Sequence, residues 1–498
     1  MAHIYTRALN TVIWVGESSD TTPEGMSLIT EIRNFQDLPE PGLLQDVGLP
    51  ALESPAWKGC WDILSRQWFT RLWTIQEAVL SSSPWVMCGE HIVEFSALSN
   101  VCAKLQKTPL GEALTQLYST DDDLSRTVPV WHAAENIDNL KALRKTLGTK
   151  SLLTTLQLTR YSQSWDPRDK VYGMLSMARS ETRVRVDYKP TNTAADVFYD
   201  TAVVDLDRDP ACLVQLLTSV DHDPGSTADG LPSWVPDWHK QRATESLGFS
   251  TTSENVYNAS AAEFKYTRGD FSHNPATREL MLQARIVGEI SFLHKTCMDA
   301  TLDIEAPAEK NSFLAEWIAK ASSFAPTSER YGGKVLDTFW RTLVAGKDDS
   351  SMWTAPDSFA EIFSLIFDET TGGSQSEPSL PGQTYSPRQQ RPRGKGRLEL
   401  SNLRSRKPAE TFAQIQTAMA VLKNRKLGYL ESGHIGLFPR YARVGDLVCV
   451  FRGFHVPFVI RLREDGRYTF LAECYLHGIM NGEIMKSEEI KEEPVALV

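Results

Sequence analysis

Residues 65–81 read Ser65-Arg66-Gln67-Trp68-Phe69-Thr70-Arg71-Leu72-Trp73-Thr74-Ile75-Gln76-Glu77-Ala78-Val79-Leu80-Ser81. The spacing predicts a single helix. Phe69, Trp73 and Glu77 recur at i, i+4 and i+8, which puts them on one face. Leu72, Ile75, Val79 and Leu80 supply an apolar flank for a core. A carboxylate on a stripe with two large aromatics must find a partner or open into a cleft; otherwise burial raises its pKa.

Composition sets the limits around that helix. The chain has 498 residues, room for two or three domains. Its 41% hydrophobic and 23% charged content is that of a globular protein, and its 13 tryptophans recur inside short motifs. A net charge of −11 argues against a general nucleic-acid binder. There is no apolar run of membrane-spanning length and no visible secretory signal. The seven cysteines form no C-x-x-C pair, which reads as reduced thiols in a cytoplasmic protein. No metal-ligand spacing and no Walker or Rossmann glycine loop is present, so no cofactor is evident.

Upstream of the central stretch, Ile4, Ala8 and Leu9 suggest one face of a short helix. Thr11–Val15 then reads as a fully buried strand ending at Gly16, half of an α/β unit with no earlier strand beside it. Glu17–Ala56 reads as a variable connection with a helical patch near Met26–Phe35. Downstream, Pro84–Gly89 and Ile92–Phe95 read as strand segments leading to a helix from Ser96. Residues 100–160 read as helical with an acidic break at Asp121-Asp122-Asp123. Asp166-Pro167-Arg168-Asp169 has the form of a helix start, Asp166 capping it. Leu280–Phe292 alternates like a strand bent at Gly288. Residues 372–407 are of low complexity and basic, and are expected to be a disordered insertion. Asp446–Phe451, Pro457–Leu462 and Arg467–Tyr475 read as three strands that, with Leu280–Phe292, close a small barrel.

Several of these blocks resemble one family. Arg71-Leu72-Trp73-Thr74-Ile75-Gln76-Glu77 is similar to the R-x-W-T-x-Q-E block of fungal heterokaryon-incompatibility (HET) domains. Asp166-Pro167-Arg168-Asp169-Lys170-Val171-Tyr172, Val186–Pro190, Leu231–Trp238 (with Trp234 and Trp238) and Glu473–Glu483 resemble further blocks in family order. The resemblance implies two earlier blocks ahead of Met1, with the first strands and a D-A-x-C-I-N-Q type motif. The chain is therefore expected to be truncated at its N-terminus within the HET domain. The implied fold class is α/β, an incomplete HET/TIR-like core, followed by a helical middle region and a small C-terminal β-barrel-like region. The expected divisions are 1–110 for the C-terminal part of the HET domain, 111–230 mainly helical, 231–371 mixed α/β, 372–407 the insertion and 408–498 the β region.

The chemistry has a sharp and a plain reading at each position. Glu77 is either paired with Arg71 or another cation of the domain, or is the catalytic carboxylate. HET domains look distantly similar to TIR domains, whose helix glutamate assists NAD cleavage, and a carboxylate stabilises the oxocarbenium-like state of that reaction. NAD would then be a substrate of the complete domain, and this chain alone is expected to be inactive. Arg168-Asp169-Lys170 either contacts phosphate or forms a charge network at a helix start. Trp234 and Trp238 either stack a base or pack. Two functions follow. One is an incompatibility effector in non-self recognition and cell death, acting with another copy or another incompatibility protein. The other is a non-catalytic interaction module that binds a paralogue or partner.

Overall fold

The stretch 65–81 is not one helix. In the computed structural model Gln67–Thr70 forms a 3-10 turn, Arg71 turns to extended backbone, and a helix resumes at Thr74–Leu80. The cause is a competing partner. Leu72 N–H donates to Gln163 O at 2.8 Å and Gln163 N–H to Thr70 O at 2.5 Å, a parallel bridge centred on Arg71 and Gln163. Those bonds take the backbone groups a continuous helix would have used.

The structure describes residues 2–105, 108–118, 140, 143–145, 147–179, 184–248, 256–261, 266–295, 335–350, 354–370 and 408–498, with 316, 317, 319, 320, 323 and 330. The insertion at 372–407 and the acidic break at 121–123 lie outside the described residues. The chain divides into two units, Met1–Asp205 with Trp238–Gln241, and Leu206–Asp237 with Arg242–Val498. Among the described residues no helix is long and apolar enough to cross a membrane.

The first unit starts with helix α1, Ala2–Arg7, and strand β1, Thr11–Gly16. Helices α2 (Thr22–Ile32), α3 (Pro55–Leu64) and α4 (Thr74–Leu80) follow, then strands β2 (Pro84–Cys88) and β3 (His91–Glu94) and helix α5 (Phe95–Leu105). β1 pairs in parallel with β2, and β2 turns back through Gly89-Glu90 to pair with β3, giving the order β1-β2-β3. Ile13, Val15, Val86, Cys88 and Val93 are buried on one face.

Four expectations for this region are corrected. β1 is not fully buried: Val12 is 54% and Trp14 48% exposed, because only one face of the sheet is covered there. The parallel neighbour of β1 comes later in the chain, as β2, so the strand is not isolated. α1 forms where a helix was expected, but Ile4 and Leu9 are exposed instead of packed. The span 17–56 also carries more than a connection. α2 packs against α3 so closely that a Cβ on Gly59 would lie 1.9 Å from the carbonyl oxygen of Thr21.

The second unit is built around one strand. β4 (Ser272–Asn274) pairs with β5 (Glu279–Leu293), whose 15 residues reach four more strands. These are β6 (Arg425–Leu430), β8 (Leu447–Phe451) and β12 (Glu492–Leu497) directly, and, through β6, β7 (Ile435–Pro439). β9 (Phe458–Leu462), β10 (Tyr468–Glu473) and β11 (Tyr475–Leu476) complete the sheet. β5, β12, β10, β9 and β8 close a ring, and β6, β7 and β11 extend from β5. The register of β5 shifts between Ile286 and Gly288, at the bend expected from the glycine. Val448, Val450, Val459, Leu471 and Cys474 belong to the core cluster of this sheet.

Charge is buried beside that core. Glu473 at the end of β10 is 1% exposed and accepts from the backbone N–H groups of Leu247 at 2.7 Å and Gly248 at 2.9 Å. Arg242 pairs with it at 2.5 Å and Arg425 lies at 3.7 Å. Asp221 accepts from the N–H groups of Ala243 and Thr244 and from Tyr441 Oη. Two carboxylates thus bind the loop 243–248 with every charge compensated, which is what makes such burial tolerable.

Candidate functional site

The motif residues of the first unit converge, though not as a helical face would place them. Once Leu72 is tied to Gln163, the 71–77 segment lies against the turn 166–173. Trp73 donates its indole N–H to Asp169 Oδ2 at 3.1 Å. Gln76, buried, donates to the carbonyl of Gly173 at 2.8 Å. A Cβ on Gly173 would meet Leu72 at 3.2 Å, so the glycine lets the two segments touch.

The turn itself is rigid. Asp166 Oδ1 accepts from the backbone N–H of Arg168 at 2.9 Å, an Asx turn ahead of the helix, whose N-cap is Arg168 and not Asp166 as the sequence suggests. Its carboxylate also forms a bidentate pair with the Arg168 guanidinium, at 2.7 Å for the closest contact. That hydrogen bonding holds Asp166 below the usual carboxylate range. Arg168 donates further to the carbonyls of Lys189 and Asn192 and lies over the Tyr188 ring at 5.2 Å. Tyr188 donates to Asp169 Oδ1 at 2.5 Å, and burial together with that bond raises its pKa. Lys170 is buried and donates to the carbonyls of Arg160 and Ser162. The helix expected from Pro167 onward is short, Asp169–Tyr172, although Val171, Met174 and Ala178 are buried as the pattern requires.

Glu77 points elsewhere. Its carboxylate accepts the indole N–H of Trp68 at 3.1 Å, and among the described residues it has no ion pair. Arg71 is exposed and acts on it only through its field. Burial outweighs both effects and raises the Glu77 pKa. The negative charge of Glu77 also helps to raise the pKa of Tyr5 on α1. The cavity beside Trp68, Thr74 and Ile75 holds about 10 Å³, room for a water. Larger grooves in this unit, of about 500 and 410 Å³, are lined without Glu77. Glu77 thus lines none of these three spaces.

Trp73, Gln76, Asp166, Arg168 and Asp169 are therefore brought together, with Glu77 beside them, while Arg71 is exposed and bridged through its backbone to Gln163. Trp238 is buried in the same unit with Arg160 stacked at 5.3 Å from its ring centre. Trp234 is in the second unit, fully buried, donating to Arg278 O at 2.9 Å. Neither ring presents a face to a ligand. Trp68, Tyr188 and Lys170 are the contributors not singled out from the sequence for the roles they hold. Trp68 was readable as one more aromatic on a helix; nothing local reveals that a 3-10 turn aims it at Glu77.

Comparison with known proteins agrees with these blocks. Residues 1–77 match the family model described as heterokaryon incompatibility protein (HET), and residues 386–494 match the Het-6 beta-barrel domain. Heterokaryon incompatibility protein 6, OR allele, of Neurospora crassa is 22% identical, over 98% of this chain and 78% of the relative. No solved structure matches the chain. With the R-x-W-T-x-Q-E block at the end of the first match and strands β6 to β11 inside the second, the chain is a member of the heterokaryon-incompatibility (HET) domain proteins.

Proposed function

We propose that this chain acts in heterokaryon incompatibility as an association module in non-self recognition, and not as a nucleotide-cleaving enzyme. The observation that carries the second half is the use of the motif's donors. Arg168 and Lys170, the groups read as phosphate contacts, donate to this chain's own carbonyls and carboxylate, as do Trp73 and Gln76 beside them. A side chain so committed must break those bonds to bind phosphate, at about 1–3 kcal/mol for each buried group left unsatisfied. The first half rests on the two family matches and on the Neurospora crassa relative, whose name gives its role.

One observation favours a second reading, NAD cleavage assisted by Glu77. A carboxyl raised by burial suits taking the proton of the water that attacks the ribose C1′, while nicotinamide leaves as a neutral base with the electrons of the broken C–N bond. Overexpression in a filamentous fungus, with hyphal growth and cellular NAD followed together, separates the two. The association reading expects growth arrest at constant NAD, retained by Glu77→Gln. A fall in NAD that Glu77→Gln abolishes would establish the enzyme instead, and normal growth with either chain would remove the incompatibility role.

A further inference from the structure

We infer that the groove between α2 and β3 is a docking surface that takes the basic stretch 391–397 of a second copy of this chain as an added strand. This rests on the association reading above. β3 is the end of the sheet away from β1 and runs antiparallel to β2, so a further parallel strand belongs beside β1 and leaves this edge as it is. The outward groups of β3 follow from its pairing. Gly89, at φ 57°, and Glu90 make a two-residue hairpin turn closed by Cys88 and His91. The closing pair exchanges two hydrogen bonds, so the alternation turns the N–H and C=O of Ile92 away from β2. Neither group has a bond among the described residues. Beside this edge α2 leaves the groove of about 500 Å³, lined by Met26, Ser27, Thr30 and Glu31 and by His91 and Ile92.

The rim of the groove is acidic. Glu31 lies in it, Glu24 is two turns earlier on the same stripe of α2, and Glu90 stands at the hairpin turn. All three are exposed and form no ion pair among the described residues. Arg33, just past α2, is committed to Glu94 at 3.5 Å. A short edge strand flanked by glutamates turns away neutral and acidic strands. The strand it admits is basic. Residues 391–397, which lie outside the described residues, read Arg391-Pro392-Arg393-Gly394-Lys395-Gly396-Arg397. Drawn out as a strand, this sequence puts four cations on one face and a proline and two glycines on the other. On β3 the Val93 face is buried on the side of α2, while Ile92 points away and is 51% exposed. A glycine opposite Ile92 therefore turns the cations on either side of it toward α2 and the rim carboxylates. Each copy carries both a groove and a basic stretch, so two copies exchange them reciprocally.

The test is charge reversal in the full chain. Light scattering after size exclusion should give a dimer at micromolar concentration in low salt, dissociating at about 0.5 M salt. Glu24→Lys/Glu31→Lys/Glu90→Lys should be monomeric, and so should Arg391→Glu/Arg393→Glu/Lys395→Glu/Arg397→Glu. The chain carrying both sets should dimerise again. Hydrogen exchange at the Ile92 amide should be about tenfold slower in the wild-type dimer than in either monomer. A wild-type monomer with a fast Ile92 amide overturns both this inference and self-association itself. A monomer whose Ile92 amide is slow, and fast once the four cations are reversed, seats the stretch in its own copy and overturns the second copy as occupant. A dimer that either reversal leaves intact overturns the surface and leaves association standing, as does a dimer lost in both and not regained in the combined chain. If a variant fails to fold, a synthetic peptide of residues 389–399 decides. In excess over the wild-type chain it should convert dimer to monomer, and an undisturbed dimer overturns the surface.

Discussion

Asp169 is the residue on which the two motif blocks of the first unit meet. It takes an indole N–H from Trp73 on one oxygen and a phenol O–H from Tyr188 on the other. The R-x-W-T-x-Q-E block is thus joined to the D-P-R-D block by a hydrogen bond from a ring that is itself half-buried. Trp73→Phe keeps the packing and removes only the donor. Asp169 retains Tyr188, so the loss is one hydrogen bond to a carboxylate, about 1–2 kcal/mol. The urea midpoint of the purified chain should fall accordingly, while Tyr188→Phe in the Trp73→Phe background should cost more than it does alone. Purely additive losses would show that Asp169 does not join the two donors.

At the scale of elements, the helices and strands with strong local patterns were legible, and the bridges between them were not. β5, with its bend at Gly288, and the strands from Leu447 to Glu473 follow from alternation and turn residues. The break in the helix at Arg71 does not, because it depends on Gln163, a residue far along the chain with no local signature. β6, β7 and β12 were also missed. Gly428 and Gly436 interrupt the first two, and Pro494 the third, and all three are features that argue against a strand when read alone. The α2–α3 contact belongs to the same class. Gly25 and Gly59 look like ordinary helix-weakening glycines, yet each removes a Cβ where two helices touch. Gly59→Ala forces a methyl against the carbonyl of Thr21, and neither backbone can yield without moving its helix. The expected loss is about 3 kcal/mol, the upper range of overpacking, against no loss for Gly42→Ala, which meets nothing within 4 Å. Thermal melts of the two variants check this. Equal melting temperatures would mean that the helices separate freely.

At the scale of the molecule, the second unit places two imidazoles where acid must act on them. His434 accepts or donates at Nδ1 with Ser432 Oγ at 2.7 Å, and His477 does so with Tyr475 Oη at 3.0 Å. Both pKa values are pushed down to about 4, His434 by burial, Arg330 and His477, and His477 by burial and Arg341 against the opposite pull of Asp337 and Glu483. The sign follows from linkage. A histidine with a folded pKa below its unfolded value of about 6.5 binds its proton more readily when unfolded. Stability is full above pH 6.5, falls as pH drops because only the unfolded chain takes up protons, and levels off near pH 4. Each group is worth up to about 3 kcal/mol across that window, and the pair less than twice that, since the two charges repel. The carboxylates held low, such as Asp166 and Asp465, lose their contribution at lower pH and so add a separate, later phase. Denaturation midpoints measured by circular dichroism between pH 7.5 and pH 4 should therefore fall steeply for the wild-type chain. The His434→Gln/His477→Gln variant keeps a hydrogen-bonding group at each position and cannot titrate there, so its profile should be shallower above pH 5, the remaining fall coming from His455, whose pKa burial also lowers. An unchanged slope in that variant would place the acid sensitivity outside these two histidines.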